Sequence, residues 1–239
     1  MSRTLDQFQA QRDVVLRDGA AKLPSGDRDA LLQQAILQRY SKDRPRELVS
    51  DQAGSGTALL ALPQIGAGPA LEVFEDGFSS ILRIEFPIGL IPPSYILEED
   101  FQQYRSPAGL QIMLLGTTPS VSDTVRIGWT ARHKSDGSTI PDVDFEAVCD
   151  WAAALCYEAL AGIYAQTGDA TIMADSVNYR TKSQEYMALA KVAAKRYFNH
   201  MGISADDKSP EVEAAIATGS IHEVLGVGLD RLTHRKASR

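Results

Sequence analysis

The stretch from Asp142 to Met201 constrains the chain most, because apolar residues recur there every three to four positions on both sides of a polar break. Phe145, Val148, Cys149, Ala152, Cys156, Leu160 and Ile163 form the first stripe, and Tyr186, Met187, Ala190, Ala193, Ala194, Tyr197 and Met201 form the second. The spacing predicts two long amphipathic helices. Pro141 and the acids Asp142, Asp144 and Glu146 suit a helix start, where free N–H groups and the helix dipole favour negative charge. Gly202 suits the stop, and Gly168-Asp169 breaks the first helix. A polar link this short lets the helices fold back antiparallel, and Ala152, Ala153, Ala154, Ala159 and Ala161 allow the axes to approach closely. The stripe is a core and carries no chemistry of its own.

A chain of 239 residues with 44% hydrophobic content can build such a core with room for a second substructure. No run approaches the roughly 18 apolar residues of a membrane span, and the N-terminal Asp6, Gln7, Gln9 and Gln11 do not form a secretion signal, so the protein is expected to stay where it is made. Cys149 and Cys156 lie on one helix face about 10 Å apart by helical rise, beyond the roughly 7 Å limit between disulfide-bonded Cα atoms. Buried free thiols in a reducing compartment are expected. The net charge of −7 argues against a general polyanion binder, because such binding rests on Lys and Arg neutralising phosphates.

Taken in order, residues 1–22 carry Leu5, Phe8, Val15 and Leu16 among charges, an amphipathic helix ended by Pro24-Ser25-Gly26. Asp27 is placed to cap a second helix through about Tyr40, with Ala30, Leu31, Ala35, Ile36 and Leu37 apolar. Pro45 stops it, since proline disfavours helical geometry at Arg44 and offers no N–H. From Glu47 to Ile140 the pattern changes to short β-type runs, clearest at 80–86, 110–115 and 124–130. In the last run Val125, Ile127 and Trp129 alternate with Arg126, Gly128 and Thr130, one face inward and the other toward water. Breakers at Gly54-Ser55-Gly56, Gly66-Ala67-Gly68-Pro69, Pro92-Pro93 and Ser106-Pro107-Ala108-Gly109 favour short hairpin connections and an antiparallel sheet. The fold class is therefore α+β, mainly a helical bundle with an inserted antiparallel β module and an extended C-terminal arm. Its expected parts are N-terminal helices 1–46, a β module 47–140, a central helix pair 141–202 that packs with 1–46, and an arm 203–239.

The residues offer little for catalysis. His133, His200, His222 and His234 are scattered, and neither cysteine has an i+3 Cys or i+4 His, so no metal site is expected. Gly66-Ala67-Gly68 lacks the third glycine of a dinucleotide loop and reads as a turn. Walker and Gly-x-Ser-x-Gly motifs are absent. Glu98-Glu99-Asp100 reads as a solvated acidic edge, since three consecutive extended side chains cannot all face one site. No cofactor is implied and the chain is not expected to be an enzyme. Three segments instead suggest contacts. Asp175 to Tyr186 is unusually polar for the lead into an apolar-striped helix, which suits a solvated helix start or a protein-contact face equally. Phe86-Pro87 and Pro92-Pro93-Ser94-Tyr95 read as edge-strand punctuation, with an exposed partner-binding loop as the other reading. After Ile203, the side chains Ile216, Ile221, Val224, Leu225, Val227, Leu229 and Leu232 are too apolar for a purely solvating tail and suggest a segment that orders on a partner.

Four stretches, ALLQQAILQRYSKDRPR at Ala30–Arg46, DGFSSILRIEFPIGLIPP at Asp76–Pro93, WTARH at Trp129–His133 and IMADSVNYRTKSQEYMALAKVAAKRY at Ile172–Tyr197, resemble the head-to-tail adaptor (connector) proteins of long-tailed bacteriophages and gene transfer agents. The likeness spans residues 28–202 and is one of pattern, without a catalytic signature. It implies a virion structural protein in the neck, made in the bacterial host cytoplasm and touching no membrane. Such a protein forms a ring of twelve copies beneath the portal protein, with a stopper or tail protein docking below and DNA passing through the lumen without being read. An acidic lumen would let DNA slide, because attraction to phosphates retards it. In a ring one face of each subunit meets a different face of the next. Tyr179, Arg180, Lys182 and Tyr186 are the expected subunit or portal contact. Ile216, Ile221, Val224, Leu225, Leu229 and Leu232 are the expected portal-clasping arm. Alternatives are a tail-terminator or stopper ring and, from other classes, a small helical enzyme or a regulatory nucleic-acid binder using the basic terminal residues.

Overall fold

A computed structural model describes residues 3–107, 109–166 and 179–203. The link containing Gly168-Asp169 and the arm residues beyond Ile203 lie outside them. The helices are α1 (Leu5–Leu16), α2 (Ser25–Gln34), α3 (Ser41–Asp43), α4 (Phe145–Gln166) and α5 (Tyr179–Met201). The strands are β1 (Arg46–Ala53), β2 (Leu59–Leu60), β3 (Gln64–Ile65), β4 (Glu72–Val73), β5 (Ile81–Glu85), β6 (Tyr95–Ile96), β7 (Phe101–Ser106), β8 (Gly109–Leu114) and β9 (Thr124–Ala131). The fold is α+β, and every strand pairing among the described residues is antiparallel. Two compact units result: Met1–Phe8 with Leu32–Asp142, and Gln9–Leu31 with Val143–Arg239.

In the first unit the largest sheet has the order β1-β9-β5-β6, beside a sheet β2-β8-β7 and a pair β3-β4. β9 is the centre because it pairs along its whole length with β1, from Arg46↔Ala131 to Ala53↔Thr124, and with β5 on its other side. Val125, Ile127 and Trp129 are buried together with Ile84, Ile112, Leu60 and Leu114 in one apolar cluster, as the alternation predicted. The opposite face is less wet than expected, since Gly128 and Thr130 are buried as well. The stem of Arg83 lies across Gly128, within 3.0 Å of where a Cβ would stand, and Ser80 N–H donates to Thr130 Oγ1 at 2.8 Å. The Gly66-Ala67-Gly68 segment is a turn between β3 and β4, with φ of +86° at Gly66 and +59° at Gly68.

In the second unit α4 and α5 run antiparallel. His200 Nε2 lies 2.8 Å from Asp144 Oδ1, Arg196 Nη1 lies 3.4 Å from Asp150 Oδ1, and Ser183 Oγ donates to the Ala161 carbonyl at 2.9 Å. Val148, Cys149, Ala152, Cys156, Leu160, Ala190, Ala193 and Tyr197 are buried along this seam. Ile163 and Met187 are exposed instead. Ile163 falls in the last turn of α4, where the Tyr164 ring stacks on Tyr186, and Met187 sits about 100° around α5 from that inward-packed tyrosine. α5 closes as expected at Gly202, whose φ is +71°, with Ile203 N–H donating to the Phe198 carbonyl at 3.0 Å. The first two helices depart from their expected limits. α1 gives way to a 3-10 turn at Arg17–Lys22. α2 begins directly after Pro24, two residues before the expected cap Asp27, and its axis passes into a π-helical turn at Ala35–Tyr40 before α3 ends ahead of Pro45.

Neither cysteine is in a disulfide and both are buried, and burial pushes the Cys149 thiol up to about 12 and the Cys156 thiol up to about 11. Thiolate is the reactive form, so the native thiols should resist a disulfide reagent at pH 8 and react only as the helix pair opens. Colorimetric titration should find both thiols at once in denaturant and neither within minutes in buffer; rapid native labelling would contradict this packing.

Candidate functional site

The three N-terminal stretches that carry the resemblance meet around Arg132 and His133, at the end of β9. Arg132 Nη1 donates to the Leu37 carbonyl at 2.8 Å, its Nε donates to Glu75 Oε2 at 2.6 Å, and its guanidinium lies 4.4 Å from the Phe78 ring centroid. His133 is buried. Its backbone N–H donates to Ser41 Oγ at 2.9 Å, and Ser41 Oγ donates to the Ile36 carbonyl at 2.7 Å. Its Nε2 lies 2.9 Å from the Arg44 carbonyl, which can only accept, so that nitrogen carries the proton. Nδ1 lies 3.1 Å from both the Thr139 carbonyl and Thr139 Oγ1, and that hydroxyl accepts from Lys134 N–H at 3.0 Å. The imidazole also packs on Tyr40, ring centroids 4.7 Å apart. A histidine held on both nitrogens is a structural tie, and the group has no free nucleophile or base to offer a substrate.

From this tie β5 leads out to the β5–β6 hairpin. Phe86 N–H donates to the Ser94 carbonyl at 3.0 Å, closing a loop from Pro87 to Pro93 in which the Phe86–Pro87 and Ile91–Pro92 peptides are cis. Leu90, Tyr95 and Leu97 are exposed, and Ile91 is 99% exposed. A groove of about 350 Å³ opens at the base of the hairpin, lined by Phe86, Pro87, Tyr95, Ile96, Leu97, Asp100, Gly116 and Thr117. The adjoining Glu98 and Glu99 are exposed in a 3-10 turn and do not converge on any site.

The second unit holds two polar clusters. Arg12 is 1% exposed, yet its Nε donates to Asp13 Oδ1 and its Nη1 to Asp29 Oδ1, both at 2.9 Å, and Arg28 donates to the other Asp13 oxygen. The cluster joins α1 to α2 with two charges of each sign, which is what lets an arginine be buried there. Burial pushes the Asp13 carboxyl up, but hydrogen bonds from Arg28 and Arg12, together with their charges, outweigh it and hold the group below the ordinary carboxylate value. The other cluster is aromatic. Tyr186 stacks on Tyr164 and Tyr157 at 5.4 and 6.1 Å, Tyr157 Oη donates to the Val15 carbonyl at 2.7 Å, and Lys22 Nζ donates to Tyr186 Oη at 3.3 Å. Lys22 and Lys182 both lie over the Tyr164 ring, at 5.6 and 5.7 Å. A neighbouring groove of about 640 Å³ is lined by Val14, Arg17, Tyr157, Glu185, Tyr186, Leu189, Val192 and Arg196, among others.

Of the residues singled out in the sequence, Lys182 and Tyr186 therefore belong to one aromatic–cation cluster. The side chains of Tyr179 and Arg180, and the whole arm with Ile216, Ile221, Val224, Leu225, Leu229 and Leu232, lie outside the described residues. Sequence reasoning missed Tyr157 and Tyr164, although their seven-residue spacing puts them on one face of α4. It also missed Lys22, more than 130 residues from either tyrosine, for which no local signal existed. Among the described residues, no group of three or more His, Cys, Asp or Glu is placed to hold a metal, and no helix is long and apolar enough to cross a membrane.

No protein-family model matches the chain, and no curated protein matches it. Among solved structures, a chain from the virion of a native gene transfer agent particle is similar at 16% identity over 77% of this chain and 89% of that one, with a TM-score of 0.25. A chain from the neck of an empty gene transfer agent particle, computed with C6 symmetry, is similar at 16% identity over 77% and 88%, with a TM-score of 0.24. A likeness this loose establishes neither fold nor role.

Replacing His133 with Ala removes the donor to the Arg44 carbonyl and opens a buried hole, and should destabilise the protein by about 2–4 kcal/mol in urea titration, against less than about 0.5 kcal/mol for Lys134→Ala. Equal effects would make the tie dispensable. Because the folded Asp13 value lies below the unfolded one, its stabilisation is present in full above the ordinary carboxylate range and is lost progressively as pH falls from there through the lower folded value. Asp13→Asn should accordingly lower the melting temperature most at pH 7 and progressively less as pH falls below the ordinary carboxylate range; an equal loss at every pH would remove the ion cluster from the explanation.

Proposed function

We propose that the chain is a structural protein of a phage-like particle, a head-to-tail adaptor that forms a ring between the portal and the tail or stopper protein. The observation that carries this reading is the placement of the resembling stretches. Residues of Ala30–Arg46, Asp76–Pro93 and Trp129–His133 hold one another through Arg132 and His133, and the described part of Ile172–Tyr197 is α5, half of the antiparallel pair. The resemblance thus lies on the residues that build the architecture, which is where a family of assembly proteins without a catalytic signature would keep its pattern. The α+β character, with antiparallel strands between helical segments, agrees with it. The net charge of −7 supports passage of DNA without retention.

In this role the arm 203–239 clasps the portal, and Tyr179, Arg180, Lys182 and Tyr186 contribute to a subunit or portal contact. Twelve copies match a portal-templated ring, with the tail or stopper protein docking beneath. The chemistry is mechanical: the protein seals a joint and leaves a lumen, and no bond is made or broken.

Negative-stain microscopy of the protein mixed with portal rings tests this. A stacked ring is expected, and failure to bind under any condition sinks the adaptor role. Arg180→Glu with Lys182→Glu should weaken docking or ring formation, while a chain lacking residues 203–239 should remain folded by circular dichroism and dock poorly. Undiminished docking by either variant removes that segment from the contact.

A further inference from the structure

Val14, Leu189 and Val192 stand together in the second unit and are 67%, 45% and 50% exposed. They line the groove of about 640 Å³ formed by α1 with its 3-10 turn and by α5, where the buried Tyr157 and Ala193 also contribute. Single exposed apolar side chains are ordinary, but three that line one concave site form a face suited to an apolar occupant. The groove also holds two cations. Burial raises the pKa of the Tyr157 hydroxyl, and Arg17 and Arg196 oppose it, so both guanidiniums act on the same point of the groove. Arg196 shares its charge with Asp150, while Arg17 has no ion pair among the described residues. Asp18 and Glu185 line the groove as well, both exposed.

What can reach this groove follows from where the chain leaves the helix pair. α5 ends at Met201 and the described residues at Ile203, and Val192 lies nine residues back from Met201, about 14 Å by helical rise. From Ile203 a chain without fixed structure covers about 16 Å in eight residues, which brings Glu211 level with the groove. There the sequence reads Glu211-Val212-Glu213-Ala214-Ala215-Ile216, with Val212, Ala215 and Ile216 at the three- and four-residue spacing of groove anchors. Residues 204–217 hold Asp206, Asp207, Glu211 and Glu213 against Lys208, whereas 218–239 hold Arg231, Arg235, Lys236 and Arg239 against Glu223 and Asp230. The first part has the sign that suits Arg17 and Arg196; the second does not. We propose that the groove is the seat of Glu211–Ile216 of the same chain, with Val212 and Ile216 against Val14, Leu189 and Val192, and Glu211 and Glu213 toward Arg17 and Arg196. A tether whose reach matches the span gives a local concentration in the millimolar range, well above that of a second copy at micromolar concentration, and so selects the chain's own arm. The seat stands on the second unit and the chain that follows it, without the adaptor role. Within that role it takes Ile216 from the portal-clasping set and leaves Ile221 to Leu232 to reach the portal.

The test is disulfide trapping within one full-length chain, whose native thiols are both buried. A chain carrying Val192→Cys and Val212→Cys should close an intramolecular bond under mild oxidation at least tenfold faster than one carrying Val143→Cys and Val212→Cys. Val143 is the stricter control, because it is exposed and adjoins Asp144, which meets His200 at the exit of the arm, so reach alone favours it. The rate should stay constant over a tenfold range of protein concentration. Arg17→Glu should slow closure at least fivefold, and adding Glu211→Lys with Glu213→Lys to that chain should restore most of the rate. A rate no faster than the control, a covalent dimer in place of the closed monomer, or no response to the charge changes would overturn the proposal, the dimer by assigning the groove to another copy's arm. Portal docking without this trapping would discard the seat and keep the adaptor role, whereas trapping without docking would do the reverse.

Discussion

The arrangement of the β-containing unit depends on the polar tie at the end of β9. Strand pairing alone holds β9 to β1 and β5, but it does not fix the helical segment 35–44 or the turn before β5 to the sheet. Arg132 and His133 do this by supplying donors to main-chain carbonyls at Leu37 and Arg44 and by engaging Glu75 and the Phe78 face. Hydrogen bonds of this kind add little net energy when made and cost much more when one partner is lost, since the carbonyl left behind has no water to turn to. The tie therefore acts less as a source of stability than as a specification of which packing is allowed.

Much of this was legible in the sequence and some was not. The two stripes from Phe145 to Met201 became α4 and α5, and the alternation of Val125, Ile127 and Trp129 became the buried face of the central strand, because burial on one face writes a period into the chain. Proline and glycine marked real ends at Pro45, Gly66 and Gly202 through constraints that are local. The burial of Gly128 and Thr130 was not legible, because it comes from Arg83 on the neighbouring strand β5 and from Ser80 just before it. The π-helical turn at Ala35–Tyr40 carries no local signature either, and its Ile36, Leu37 and Tyr40 are held by the tie.

The candidate contacts divide the same way. Asp175 to Tyr186 drew attention by composition, yet what surrounds Tyr186 is a cluster with Tyr157, Tyr164 and Lys22 that only folding assembles. The loop around Pro92-Pro93 reads naturally as strand punctuation, and it does terminate the β5–β6 pairing. Punctuation does not by itself require that the same residues be uncharged or that Ile91 face water.

The proposed role makes this chain a component of a particle neck. Quantitative peptide mass spectrometry of purified particles from cells that make it, with the portal protein as internal standard, addresses that directly. One copy of this chain per portal subunit is the predicted result. Its absence from intact, tailed particles would contradict the account.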